Sequence, residues 1–281
     1  MKCKDALSVI IIFTALMTSV PLFAKPLRIV SLNLCADQLL IPLLTPAKLV
    51  GITQLASNPE VSYHYLNANQ YHQHTSRIEE IMALKPDLII AGEYTAQPTN
   101  QLLENLGFKV ITLGLPVTMD EVFQQITFLG EQISAQKRAA KLIRQMRDEL
   151  ANLQVIPKEQ QKRAVVYYAN GYTAGQQTIV NAILNLAGVI NVAAELNVDF
   201  VSPLSLEQLL ASKPDILLLG RHHKNTDSLA HQVLQHKALK QYTALNHVKR
   251  MMIPDRYWTC AGPSSITAAA YIQQNLIHFS Y

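Results

Sequence analysis

Residues 79–92 read Glu-Glu-Ile-Met-Ala-Leu-Lys-Pro-Asp-Leu-Ile-Ile-Ala-Gly, and residues 207–220 read Glu-Gln-Leu-Leu-Ala-Ser-Lys-Pro-Asp-Ile-Leu-Leu-Leu-Gly, a constant offset of 128. Glu, Ala, Lys, Pro, Asp and Gly coincide, and most other positions exchange one aliphatic residue for another. In each copy a helix with one apolar face stops at Lys-Pro, because proline disfavours helical geometry in the residue before it. Asp then opens a continuous aliphatic run of strand length, the pattern of a parallel strand buried on both faces. The closing glycine is expected to let the chain turn out at the strand's carboxyl edge.

The same alternation extends outward from both copies. In the first half, residues 28–32, 49–52, 87–91 and 109–113 read as strands, and 36–44 and 98–106 as helices. The second half has strands at 163–168, 215–219 and 248–253, with helices at 177–187, 206–211 and 264–277. Such a chain is expected to be α/β, with two lobes of mostly parallel sheet at residues 25–118 and 154–281 and a ligand cleft between them. Residues 119–153 contain no proline and a single glycine, Gly130, while Val122, Ile126, Leu129, Ile133, Ala140, Ile143, Met146 and Leu150 recur near helical spacing. One long, rigid helix joining the lobes, capped by Thr118 or Asp120, is the economical reading.

With 49% hydrophobic residues in 281, the chain can bury a sizeable core, which excludes intrinsic disorder. Net charge is only +4, spread as a small surplus, so no nucleic-acid partner is expected. Lys2 and Lys4 precede an apolar run over 7–23, and the small Ala24 stands before Lys25. That layout predicts a secretory signal peptide over residues 1–24 and export to a periplasm. Of the three cysteines, Cys3 lies in the leader. Cys35 and Cys260 then share an oxidising compartment, where they can form a disulfide, stay as two free thiols or serve as soft metal ligands.

The opening Arg28-Ile-Val-Ser-Leu-Asn-Leu-Cys-Ala-Asp-Gln-Leu-Leu, the paired Lys-Pro-Asp units, the long central helix and the late Trp258-Thr-Cys-Ala-Gly-Pro together resemble the periplasmic solute-binding proteins of ABC importers, in the class that binds cobalamin, ferric siderophores and haem. The resemblance spans essentially the whole chain after the leader. It implies a monomeric receptor, neither an enzyme nor a holder of a resident cofactor, that captures a metal-containing macrocycle or chelate and delivers it to the importer's membrane subunits. Cobalamin is favoured over siderophores because no cluster of arginines stands out to meet an acidic ligand. By the same resemblance, Glu79 and Glu207 match surface glutamates, one per lobe, that pair with arginines on the membrane subunits. On physics alone each is an exposed acid near a helix start, where the helix dipole favours it.

Open α/β sheets bind ligands beyond the carboxyl ends of their strands, which selects the candidate contacts. The first lobe offers Asn33, Cys35 and Asp37 after strand one, Tyr63 and Tyr65 in the long loop after Ile52, and Tyr94 after Gly92. The second offers Tyr168 and Tyr172, then Arg221, His222 and His223 after Gly220, and Arg256, Tyr257 and Trp258 after the last strand. Aromatic rings suit a large planar ligand, and arginines suit carboxylates or phosphates. Trp258, the only tryptophan, is the best single candidate. Two rival readings are an exported thiol hydrolase using Cys35 and a transition-metal-ion binder using cleft histidines. Neither has a motif behind it: there is no G-x-S-x-G elbow, Walker A loop or H-E-x-x-H, and the crowded His64, His72 and His74 lack a matched fourth ligand, so no metal site is expected.

Overall fold

The computed structural model describes residues 26–95, 97–220, 236–245 and 248–277. Residues 1–25, over which a leader is expected, and the candidates Arg221, His222 and His223 lie outside the described residues. In the first lobe, β1 (Ile29–Ser31), β2 (Leu49–Thr53), β3 (Gln73–His74), β4 (Leu88–Gly92) and β5 (Val110–Leu113) form a parallel sheet in the order β3-β2-β1-β4-β5. Around them run α1 (Leu34–Leu43), α2 (Tyr65–Ala68), α3 (Ile78–Ala83) and α4 (Gln97–Asn105).

The second lobe holds β6 (Lys162–Val166), β7 (Tyr172–Ala174), β8 (Val189–Asn191), β9 (Val201–Pro203), β10 (Ile216–Gly220) and β11 (Lys249–Ile253). Its parallel sheet runs β11-β10-β6-β8, while β7 and β9 pair separately and antiparallel. With β6 standing for β1 and β10 for β4, this order repeats that of the first sheet.

The repeated corners are alike in atomic detail. Lys85 and Lys213 both turn left-handed, at φ 47° and 48°, and so end the preceding helix before the proline. The guanidinium of Arg28, just before β1, donates to the carbonyls of Leu84 and Lys85, and that of Arg163, in β6, to those of Ser212 and Lys213. The carboxylates of Asp87 and Asp215 accept the backbone N–H of Arg28 and Arg163, each at 2.8 Å. Helix end, strand start and neighbouring strand are thereby tied at the amino edge of each sheet. The repeat's first glycine has a different purpose from the one expected. Gly92 is not left-handed; it leaves the room that the Asn33 amide occupies, where a Cβ would collide.

Residues 119–153 are not one helix. They form α5 (Met119–Gln132), opened by a Thr118/Glu121 capping box, and α6 (Gln136–Ala151), separated by a turn in which Ser134 takes φ 52°. Phe123 lies under Arg147 and Gly130 against Ala139, so the two helices run antiparallel as a hairpin. Periodicity missed the reversal because both helices bury their apolar stripes in the same core, which takes in Val122, Ile126, Leu129, Ala139 and Met146. The remaining helices are α7 (Ile179–Leu186), α8 (Val192–Glu195), α9 (Leu206–Ala211), α10 (Lys237–Leu245), α11 (Asp255–Trp258) and α12 (Pro263–Ile277). Helix α6 of the hairpin packs on both α1 and α12 and so crosses between the lobes.

The hairpin depends on close approach at Gly130, where a Cβ would stand 2.6 Å from that of Ala139. Gly130→Val should therefore force the helices apart and cost about 1–3 kcal/mol, the scale of overpacking. Chemical denaturation of the variant beside the parent protein measures this.

Candidate functional site

A cavity of about 1140 Å³ opens between the lobes, larger than the roughly 300–1,000 Å³ of pockets for drug-sized ligands. Its first wall is the carboxyl edge of the five-stranded sheet: Leu32, Thr53, His74, Gly92 and Leu113 each stand at or just past a strand end. Its second wall comes from Tyr168 after β6, the start of α7, Phe200 and Val201 at β9, and the stretch after β11 that contains Trp258 and Thr259. Its surface is mostly apolar, interrupted by polar side chains on both walls, among them Asn33, Gln54, Gln125, Gln177 and Thr178. Among the described lining residues there is no lysine or arginine; the acids are Glu93 at the exposed rim and Asp255 at the buried base.

Several expected contacts do line this cavity. Asn33 caps α1 by accepting from the Ala36 N–H at 2.7 Å, and its amide donates to Thr95 Oγ1 at 3.1 Å. Cys35 is bridged to Cys260, with Cα atoms 5.1 Å apart, and so offers no thiol to a hydrolase. Tyr94 stands at the rim, 79% exposed. Tyr168 meets Trp258 edge-on at 6.2 Å, and burial, with the charge of Asp255 adding to it, raises its phenol above the usual range. Trp258 is only 4% exposed, packs in the core of the second lobe and donates from Nε1 to Asp255 Oδ1. It borders the cavity as a structural residue as much as a contact.

Others are placed elsewhere. Asp37 is 0% exposed and sealed inside the first lobe, where Thr53 donates from Oγ1 at 2.6 Å and from its backbone N–H; burial pushes its carboxyl up to about 7. Tyr63, Tyr65, Arg256 and Tyr257 gather in a seam outside the cavity lining. There Tyr63 Oη and Thr267 Oγ1 share a hydrogen bond at 2.9 Å, and the Arg256 guanidinium lies over the rings of Tyr65 and Tyr257. The loop after β2 folds along the flank to meet α11 and α12, which takes these rings away from the cleft. Tyr172 sits on β7, also outside the lining. Among the described residues no group of three His, Cys, Asp or Glu is placed to hold a metal, and buried His74 has its pKa lowered by that burial.

Phe200 was not among the expected contacts. It is 60% exposed at the cavity, with the left-handed φ of 51° that is rare for a bulky residue and concentrates at functional sites. No local pattern marks it; only the pairing of β7 with β9 brings it to the mouth. Glu79 and Glu207 are exposed in the first turns of the equivalent helices α3 and α9.

Two α/β lobes facing across one large cavity define a bilobal ligand-binding protein. The chain belongs to the periplasmic binding protein family, whose pattern it matches over residues 29–257. It is 28% identical to a cobalamin-binding protein of Halobacterium salinarum over 76% of this chain, a stretch that spans 59% of that relative's length. It is 25% identical to a vitamin B12-binding protein of Photorhabdus laumondii over 91% of this chain and 90% of the other. Its fold matches that of the periplasmic haem-binding protein HutB of Vibrio cholerae with a TM-score of 0.72 and 22% identity, over 89% of this chain and 98% of that one. Among the described residues no helix is long and apolar enough to cross a membrane.

The raised carboxyl of Asp37 makes a pH prediction. An acid whose folded pKa, about 7, exceeds its ordinary 3.8 contributes stability that is full below the ordinary value and is lost as pH rises through 7. His64, held near 4 by burial, acts oppositely and loses its contribution as pH falls from 6.5. Comparison with Asp37→Asn isolates the first group: relative to the parent protein, the variant's Tm should rise between pH 5 and pH 8. A difference that stays constant across that range would show Asp37 ionised throughout.

Proposed function

We propose that this chain is an exported receptor that captures a metal-containing macrocycle or chelate, cobalamin ahead of a ferric siderophore or haem, and delivers it to the membrane subunits of an ABC importer. The observation that carries the reading is the size and chemistry of the cavity: about 1140 Å³, its surface mostly apolar, with no lysine or arginine among its described lining residues. A corrinoid is fringed by neutral amides, which the exposed Gln54 and Gln177 side chains of the lining can meet by hydrogen bonding. Haem carboxylates and acidic siderophores call for arginine or lysine. Relatives named for cobalamin and vitamin B12 support the same choice, and the leader-like first 24 residues support a periplasmic site of action. Nothing in this role makes or breaks a covalent bond.

Calorimetric titration with cyanocobalamin, haemin and a ferric hydroxamate tests the ligand. Cyanocobalamin should bind most tightly, and Phe200→Ala should weaken it by about 1–2 kcal/mol, as loss of an aromatic contact does, without lowering Tm because the ring is largely exposed. Tighter haemin binding would replace the corrinoid reading.

Delivery is read from Glu79 and Glu207, two exposed carboxylates at equivalent repeat positions, suited to paired basic patches on a transporter with two membrane subunits. Glu79→Lys with Glu207→Lys should leave ligand affinity and Tm nearly unchanged while abolishing ligand-stimulated ATP hydrolysis by the reconstituted importer, since reversal sets like charges together. Stimulation at the parent level removes the docking role.

A further inference from the structure

After β11 the chain leaves the second lobe's sheet, and residues 255–267 are fastened to the first lobe at several points. Cys260 is bonded to Cys35 at the start of α1. Ala261 and Ile266 pack in the first lobe's core, and a Cβ on Gly262 would touch Leu39 at 3.4 Å. The Arg256 N–H donates to the Glu60 carbonyl and its Nη1 to that of Pro59, both at 3.0 Å, and Thr267 meets Tyr63. The same segment supplies Asp255, Trp258, Thr259 and Ala261 to the cavity. One wall of the cleft is thus shared: Trp258 is held in the second lobe's core, while Cys260, Ala261 and Ile266 are held by the first.

The only covalent member of this set lies in the wall itself, since Cys35 lines the cavity and Cys260 sits between the lining residues Thr259 and Ala261. We propose that the Cys35–Cys260 disulfide is a positioning bond of the ligand site: it sets the wall formed by residues 258–261 against the start of α1, and its oxidation state sets ligand affinity. Reduction by a dithiol breaks the S–S bond and forms two thiols, the two electrons and two protons coming from the dithiol, which closes to its own cyclic disulfide. The remaining ties are non-covalent, so the wall gains local freedom while both sheets keep their cores.

The affinity part rests on the corrinoid-receptor reading, and the wall itself can be followed without any ligand. Trp258 is the only tryptophan, lies two residues from Cys260 and packs in the second lobe's core, so its fluorescence reports how firmly that end of the wall is held. The protein, oxidised, reduced with dithiothreitol, and as the Cys35→Ala/Cys260→Ala variant, would be compared by far-ultraviolet circular dichroism, acrylamide quenching of Trp258 and titration with cyanocobalamin. The reduced and variant forms should keep the parent dichroism, show acrylamide quenching raised about twofold or more as the segment opens locally, and bind cyanocobalamin at least about tenfold more weakly, a loss of about 1.4 kcal/mol. Unchanged quenching overturns the proposal, as does loss of dichroism, which would make the bridge a general stabiliser. If the oxidised protein fails to bind cyanocobalamin, the corrinoid reading fails and the quenching result alone decides the proposal.

Discussion

The backbone groups left over where a helix ends and a parallel strand begins must find partners, and in both lobes one arrangement supplies them. A left-handed lysine ends the helix, an arginine guanidinium takes the last carbonyls, and the aspartate after proline accepts the arginine's own N–H. These bonds are exposed or half-buried and each contributes about 1 kcal/mol, and together they fix where each central strand starts. It joins β1 to β4 and β6 to β10, the pairs that stand inside the two sheets. The flanking strands and covering helices then follow from burial of aliphatic faces.

With the amino edges closed in this way, the functional chemistry falls to the opposite edges. The strand ends there release the chain into the cavity, and their side chains and helix starts form its walls. The Asn33 amide shows how tightly the two requirements interlock. It caps α1, reaches Thr95 and occupies the space that Gly92 leaves, so a residue on the cavity wall also closes the first lobe's central turn. The described lining residues include no lysine or arginine, and the surface they present is largely apolar.

The lobes are connected by more than a linker. Helix α6 rests on α1 and on α12, the disulfide crosses beside the cavity, and Arg256 with Tyr63 ties the flank. The expectation of a nearly fixed relation between the lobes therefore rests on a different physical basis from a single stiff rod. Helix α6 with its contacts on both sides, a covalent bond and a polar seam all tie one lobe to the other. The aromatic residues of that seam, read as ligand contacts on the grounds that they follow strand ends, are spent on this connection.

The α/β class, the two lobes and seven of the eleven strands among the described residues were legible because their signals are local: a proline that stops a helix, an aliphatic run of strand length, and a repeat that doubles both; the short β3, β7, β8 and β9 carry no such run. Such features act within a few residues and survive any arrangement of the rest. The reversal at Ser134 was not legible, because helical spacing records which face is buried and not against what; two antiparallel helices on one core carry the same stripe as one long helix. For the same reason Asp37 and Tyr63 read as cleft residues by their place after a strand, while the burial that removes Asp37 and the loop path that removes Tyr63 are set by distant neighbours, Thr53 and Thr267. Phe200 illustrates the converse. Its sequence surroundings are unremarkable, and only the pairing of β9 with β7, which holds it in a left-handed turn at the cavity mouth, makes it a residue of the site.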